Sequence, residues 1–375
     1  MTMKRFLLHI IYITALLPFL GSCSQSEDVP TDASGNDHVQ LSLSVTARAS
    51  GNEVTETGSG SKVDNLHVWV FGSKNDNQNV NGYDYLTYMT KNDISFSVST
   101  VPGIEPVFTI TGFNIPEGKK YKKMYFYMVL NTGSVDGITI PTGDNVKVED
   151  IQKLTFTGIQ SNDKTDNQML MYGMSEMEIN PHKTNYETNI DVTRAVAKLE
   201  LHFTKKESTS TLNIKKVTLS SVIGKGYLVP TPLLNDNTIY KDATNIVLFE
   251  GPETIDQYLE TEEHYGNFSQ HEESFEELTL SAPYLMENPY GLDWTDHQTD
   301  DKYPETDSSA DVSKYYQLTV DYVIDGSADT EKFYLPKIER NHLYKIYVRA
   351  RSTNIELNWE VVPFDQVTNN IPTFE

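Results

Sequence analysis

The chain has 375 residues, with 30 basic and 53 acidic side chains and a formal net charge of -23. So acidic a surface repels phosphate backbones and anionic lipid, which excludes nucleic acid and a polybasic membrane patch as partners. The single cysteine excludes an internal disulfide, and 22 tyrosines among abundant Val, Thr and Phe with Gly and Asn turns point to an all-β protein, long enough for two domains.

The chain begins with Lys4 and Arg5 ahead of an apolar run from Phe6 to Leu20, which closes on Leu20-Gly21-Ser22-Cys23. The run is about fifteen residues, shorter than the roughly 20 a membrane-spanning helix needs, and its basic flank and small-residue end are those of a secretory signal. A cysteine at the cleavage point makes this a bacterial lipoprotein leader over residues 1–22. The Cys23 sulfur takes a diacylglyceryl group by thioether before the leader is cut, and Cys23 becomes a lipidated, palmitate-bearing N-terminus. An ordinary signal peptide with an incidental cysteine is the plainer alternative.

Next, Val39, Leu41, Leu43 and Val45 alternate with Gln40, Ser42, Ser44 and Thr46, the period-two pattern of a strand with one buried face. Arg48 follows at once, and Ala49 to Lys62 is a Gly, Ser, Thr, Asn and Glu stretch suited to an exposed, protease-sensitive loop. The six arginines are Arg5, Arg48, Arg194, Arg340, Arg349 and Arg351; Arg5 leaves with the leader and the last four stand in apolar, strand-like contexts. An arginine-specific protease therefore has one obvious target, between Arg48 and Ala49. Cutting there detaches the lipid and the first strand together, which makes residues 23–48 a propeptide.

Further strands are predicted at Leu66 to Phe71, Ile94 to Val98, Val107 to Ile110 and Met124 to Leu130, the last apolar enough to be buried on both faces. Val146 to Leu154 is the best helix, with Val146, Ile151 and Leu154 on one face and Lys147 three residues before Asp150. Little other helix is expected. Met169, Met171 and Met174 suit core packing better than a soft-metal site. The chain restarts near Asp191, so a domain boundary near residue 190 separates 49–190 from 191–375. Val192 to Phe203 alternates as one strand, Leu212 to Val222 follows, and Leu234 to Glu277 reads as a polar surface excursion. Strands resume at Tyr315 to Ile324, Phe333 to Leu335, Leu343 to Ala350 and Ile355 to Val362.

No motif of catalysis is present: no H-E-x-x-H, no G-x-S-x-G elbow, no phosphate-binding glycine loop, and no thiol beyond the lipidated Cys23. The acidic groups Glu272, Glu273, Glu276 and Glu277, or Asp293, Asp296, Asp300 and Asp301, lack the alternating spacing and turn glycine of a calcium loop and read as solvated faces. The expectation is a non-enzymatic protein with no cofactor and no metal.

Several segments, in order, resemble the fimbrillin family, the major fimbrial subunits of Bacteroidetes type V pili. They are the lipobox at Cys23, the strand Val39 to Thr46 with Arg48, Thr193-Arg194-Ala195-Val196-Ala197-Lys198-Leu199, Pro283-Tyr284-Leu285-Met286-Glu287-Asn288, Lys337-Ile338-Glu339-Arg340-Asn341-His342-Leu343-Tyr344, and the closing Trp359-Glu360-Val361-Val362. The resemblance implies two β-sandwich domains of transthyretin-like type, export as a lipoprotein to the cell outer membrane, removal of the first strand, and polymerisation by strand exchange into an extracellular adhesive fimbria. The implied partners are further copies of the chain, pilus anchor and tip subunits, and the processing protease. The donor strand is sought in 355–375, where Ile355, Leu357, Trp359 and Val361 alternate with polar residues ahead of a tail carrying Ile371 and Phe374. Arg340 and Asn341 read as an arginine bonding across the sandwich and a turn asparagine. A pilus anchor, a tip adhesin, or a surface glycan-binding lipoprotein using Trp69, Trp294 and the tyrosines are the alternatives.

Overall fold

The computed structural model describes residues 38–47, 63–76, 82–93, 95–99, 107–159, 169–230, 243–260, 268–291 and 312–363. Cys23, Arg48, Ala49, Trp294, the Asp293 to Asp301 cluster and the tail with Ile371 and Phe374 lie outside these residues.

The first strands are β1 (Val39–Ala47), β2 (Leu66–Ser73), β3 (Asp84–Thr90), β4 (Ser95–Ser99), β5 (Val107–Ile115) and β6 (Lys123–Leu130). Then come β7 (Val135–Asp136), the helix α1 (Val148–Gln152), β8 (Thr155–Ile159), β9 (Met171–Glu178) and β10 (Asn185–Arg194). The chain continues through β11 (Ala197–Lys205), β12 (Leu212–Val222), β13 (Lys225–Tyr227), β14 (Thr244–Ile255), β15 (Glu276–Glu277) and β16 (Tyr284–Leu285). The last four are β17 (Gln317–Ile324), β18 (Ser327–Tyr334), β19 (His342–Ala350) and β20 (Ile355–Pro363). The protein is all-β with little helix, as the composition implied.

Eight strands form one sheet in the order β3-β2-β6-β9-β10-β1-β5-β4. This sheet folds over its own inner face: Val39, Leu41 and Leu43 of β1 and Ile110 of β5 share a core with Val68 and Val70 of β2 and Phe126 and Met128 of β6. Those strands are not neighbours in the bonded order, so burying both apolar sets requires the sheet to curl. The opposite face of β2 and β6 supplies Trp69, Phe71, Tyr127 and Val129 to a second core with Val148 and Ile151 of α1. That two-faced burial explains the almost wholly apolar sequence of β6. A third core lies between the sheet β15-β11-β19-β20, with β16 also on β11, and the sheet β14-β12-β17-β18. Leu199, Leu201 and Phe203 of β11 meet Leu212, Ile214 and Leu219 of β12 there, a sheet-on-sheet sandwich.

Three sequence expectations are corrected. The strand read over Val192 to Phe203 is two strands in different sheets, interrupted at Ala195 and Val196, which belong to the second core. Alternation continues through the break because β10 and the first residues of β11 each keep one face more buried than the other. The stretch Leu234 to Glu277 is not merely a surface excursion, since β14 occupies twelve of its residues beside β12. Only Leu248 and Ile255 of β14 are buried, and its apolar residues are confined to the short run Ile246 to Phe249 and the end at Ile255, with an exposed polar stretch between them. The helix is shorter than Val146 to Leu154, although Val146, Ile151 and Leu154 are all buried. Asp150 acts there as an N-terminal cap, its Oδ2 accepting the backbone N–H of Lys147 at 2.8 Å.

Candidate functional site: the slot held by the first strand

β1 is a central strand. It runs parallel to β10, from Gln40 opposite Asn185 to Ala47 opposite Val192, and antiparallel to β5, from Val39 opposite Ile115 to Thr46 opposite Val107. A bulge between Leu41 and Leu43 adjusts the second pairing. Val39, Leu41 and Leu43 are at most 2% exposed, while Gln40 is exposed on the other face. The Gln40 N–H also donates to the Thr184 carbonyl at 2.8 Å, fixing the entry of the strand. The backbone of Val45 continues both ladders opposite Ile190 and Phe108.

In the strand order, β1 alone joins the pair β5-β4 to the remaining five strands. Its departure would bare two rows of backbone N–H and C=O groups, on β10 and β5, above an apolar floor. Each of the three buried side chains contributes about 1.5–3 kcal/mol of transfer free energy, so the empty slot is strongly unfavourable. Arg48 follows the last residue of this strand directly.

β20 is different in kind. Among the described strands its one neighbour is β19, with Ile355 opposite Ala350 and Pro363 opposite His342. Ile355 and Leu357 are buried in the third core, and Trp359 and Val361 pack partly buried against it. The opposite face carries Glu356, 2% exposed, which accepts from Arg349 Nε through one carboxylate oxygen and from Arg351 Nε through the other, at 2.9 Å for Arg351. Arg349 lies 4.8 Å from the ring centroid of Phe268, so its charge is covered by an aromatic face.

The other described arginines are also held. Arg194 is buried, and its backbone N–H reaches Asn341 Oδ1 at 3.3 Å. Arg340 donates to Glu287 Oε2 at 3.0 and 2.6 Å and to the carbonyls of Leu228 and Tyr227 at 2.7 and 3.0 Å. Asn341, in the left-handed region with φ 58, donates its backbone N–H to Val196 at 2.9 Å. β16 pairs with Ala197 and Lys198, so the segments around residues 194, 285 and 340 converge on one junction. The expectation of a bonding arginine and a turn asparagine describes these two residues correctly.

Met169 and Met171 are core residues, whereas Met174 is 54% exposed. Trp69 is fully buried, with its indole N–H donating to the Pro141 carbonyl at 3.0 Å, and so offers no platform for a sugar ring. Glu272 pairs with Lys345 at 2.7 Å, and Glu276 accepts the backbone N–H of Asp256 at 3.3 Å. Among the described residues, no group of three or more His, Cys, Asp or Glu side chains is placed to hold a metal ion. Sequence reasoning missed Glu356 and Gly118, the two residues that fasten β20 and bound the β1 slot. The signal for Glu356 was an acid between two apolar strand residues, across a tight turn from two arginines. Gly118 gave no local signal.

No family model and no curated protein matches the chain. Among solved structures, the chain is similar to the tip fimbrial protein of Porphyromonas gingivalis with a C-terminal truncation, at 13% identity and TM-score 0.46, covering 87% of this chain and 99% of that one. It is similar to a fimbrial assembly protein from Parabacteroides distasonis at 12% identity and TM-score 0.46, with the same 87% and 99% coverage. A fimbrial protein from Bacteroides vulgatus gives 11% identity and TM-score 0.47, again over 87% and 99%. Identities and scores this low assign nothing to this chain; its own geometry has to do so.

Proposed function

We propose that this chain is a structural subunit of a cell-surface fimbria, exported as a lipoprotein acylated on Cys23, cut between Arg48 and Ala49, and polymerised by strand exchange. The observation that carries this reading is the position of β1, a strand bonded along both edges, cored on one face and followed at once by the arginine. Removing an edge strand would alter little. Removing this one opens a two-sided slot that a strand of a neighbouring copy can fill, with backbone bonds for affinity and alternate side chains for register.

A matching strand exists in the same chain. Val39, Leu41, Leu43 and Val45 correspond in spacing to Ile355, Leu357, Trp359 and Val361, with β-branched residues at both ends and leucine in second place. Trp359 against Leu43 is the large departure in size, and Ile355 against Val39 adds one methylene. Among the described strands β20 is bonded at home to β19 alone, and in the slot it would be bonded along both edges. The transfer therefore gains a ladder, against the loss of the Glu356 pairs and the withdrawal of Ile355 and Leu357 from their own core. Donor and acceptor are different parts of one subunit, a head-to-tail contact that propagates without closing.

On this reading the precursor, with its halves 49–190 and 191–375, sits on the outer membrane by its lipid and the mature subunit lies in an extracellular adhesive fimbria. Its partners are further copies, anchor and tip subunits, and an arginine-specific protease. The described arginines are each buried or bonded in or beside a strand, which supports Arg48 as the target. The test is digestion of the folded precursor with such a protease, followed by N-terminal sequencing and electron microscopy. The expected product begins at Ala49 and grows into fibres, while the Arg48→Ala precursor stays monomeric because its own strand competes at high effective concentration. Fibres from Arg48→Ala would refute the proposal.

A further inference from the structure

The slot has a hard end, and a glycine makes it. Gly118 is buried in the loop between β5 and β6, over the first residue of β1. A β-carbon at Gly118 would stand 2.8 Å from both Cβ and Cγ2 of Val39 and 2.9 Å from Cε of Met124, closer than such atoms approach. Its backbone is not in the left-handed region, so the glycine answers a demand for space rather than for conformation.

Neither side can retreat. The Lys122 N–H donates to the Ser73 carbonyl and the Ile179 N–H donates to the Lys122 carbonyl, both at 2.8 Å, which ties the loop to β2 and to the end of β9. Val39 is fixed opposite Ile115, and its neighbour Gln40 is bonded to Thr184. Once β1 is gone, however, two of the three nearest atoms to an alanine Cβ at 118 leave with it, and the one that stays, Met124 Cε, is the free end of a flexible side chain.

We infer that Gly118 determines which strand the slot accepts and in what register: the place of Val39 takes a β-branched residue of a second copy, Ile355, only because residue 118 has no side chain. This rests on the proposed replacement of β1 by a neighbour's strand. The same loop that completes the precursor core thereby becomes the end stop against which an incoming β20 is set.

The test uses four precursors, wild type, Gly118→Ala, Val39→Gly and the double variant, and two labelled peptides. Gly118→Ala alone lowers the melting temperature of the precursor, and in a Val39→Gly background it lowers it no further. Cleavage after Arg48 removes position 39, so the mature product of the double variant differs from wild type by one methyl group in the slot. Peptides of residues 37–48, either native or carrying Val39→Gly, are titrated into the cut subunits. The Gly118→Ala subunit is expected to bind the native peptide about tenfold more weakly than wild type does, since the added methyl overpacks the place of Val39, and to bind the Val39→Gly peptide as well as wild type does. Fibre growth on Gly118→Ala seeds is expected to stall. Equal affinity of both cut subunits for the native peptide overturns the inference while leaving the slot intact. If neither peptide binds either subunit, the slot reading falls and the inference with it. A shifted peptide affinity with undiminished fibre growth overturns the assignment of Ile355 to that place.

Discussion

Arg349 and Glu356 are register partners on β19 and β20, and both are withdrawn from water at 0% and 2% exposure. Arg351 binds the second oxygen of the same carboxylate at 2.9 Å, so one acid serves two guanidinium groups. A buried arginine whose carboxylate is taken away is costly, because its desolvation is no longer offset. Glu356→Leu should therefore destabilise the precursor by about 3–5 kcal/mol, read from the denaturant midpoint. Hydrogen exchange at the β20 amides should quicken, and cut protein carrying the change should polymerise faster, since these ion pairs oppose release of the strand. Unchanged stability would mean that the pairs do not hold β20.

Leu43 is fully buried but belongs to the strand that the proposed cleavage would remove. Leu43→Ala should cost about 2–5 kcal/mol in the precursor, the range for a buried leucine truncated to leave a cavity. After cleavage the cut subunit should form fibres at the wild-type rate. Thermal unfolding of the precursor and light scattering of the cut product measure the two halves of the prediction, and slowed fibre growth after complete cleavage would contradict it.

Glu277 of β15 stands opposite His202 of β11, within reach of the Glu200 charge and of Lys198 and Lys345, and the two glutamates should give opposite pH signatures. Burial, then the Glu200 charge, raises the Glu277 carboxyl above its ordinary value, outweighing His202, Lys198 and Lys345. The folded state then holds that proton more tightly than the unfolded chain, so stability falls as pH rises through the raised value and stays lost at neutrality. Glu277→Gln should raise the melting temperature near pH 7 and lose that advantage at about pH 4. Burial alone would raise Glu200 too, but His202, its Nε2 3.5 Å from Glu200 Oε2, and the charge of Lys198 hold it below the ordinary value. Its contribution is present above the ordinary value and fades as pH falls through the lowered one, so Glu200→Gln should weaken the fold near neutrality and matter less in acid. Parallel pH profiles for the two variants would contradict both assignments.

Cys23→Ala should abolish labelling with radioactive palmitate and leave the product unprocessed or misplaced, because no other side chain of the chain can form the thioether. Retained label would refute lipidation at this position. Membrane retention of the uncut precursor should be firm, since two or more acyl chains exceed the marginal hold of one.

The strands read most accurately from sequence were those with a buried face. Val39 to Thr46, Leu66 to Phe71 and Met124 to Leu130 carry their burial in their alternation or in an unbroken apolar run, and each is a strand within a residue or two of its expected bounds. β14 and β18 were largely missed for the converse reason: as sheet edges they keep most side chains in water, and no apolar stripe is required of them.

The sequence by itself determined that β1 is a strand with one buried face and that an arginine follows it, because side-chain alternation and the order of residues are local properties. Tertiary structure alone decided that β1 is central rather than marginal, between a parallel and an antiparallel neighbour, and that β20 has β19 as its one neighbour among the described strands and is held by Arg349 and Arg351. It also placed Gly118 against Val39, residues 79 positions apart in the chain. Such relationships depend on which backbone edges meet and which cores are shared. Long-range packing sets them, and a single strand's pattern does not encode its partners.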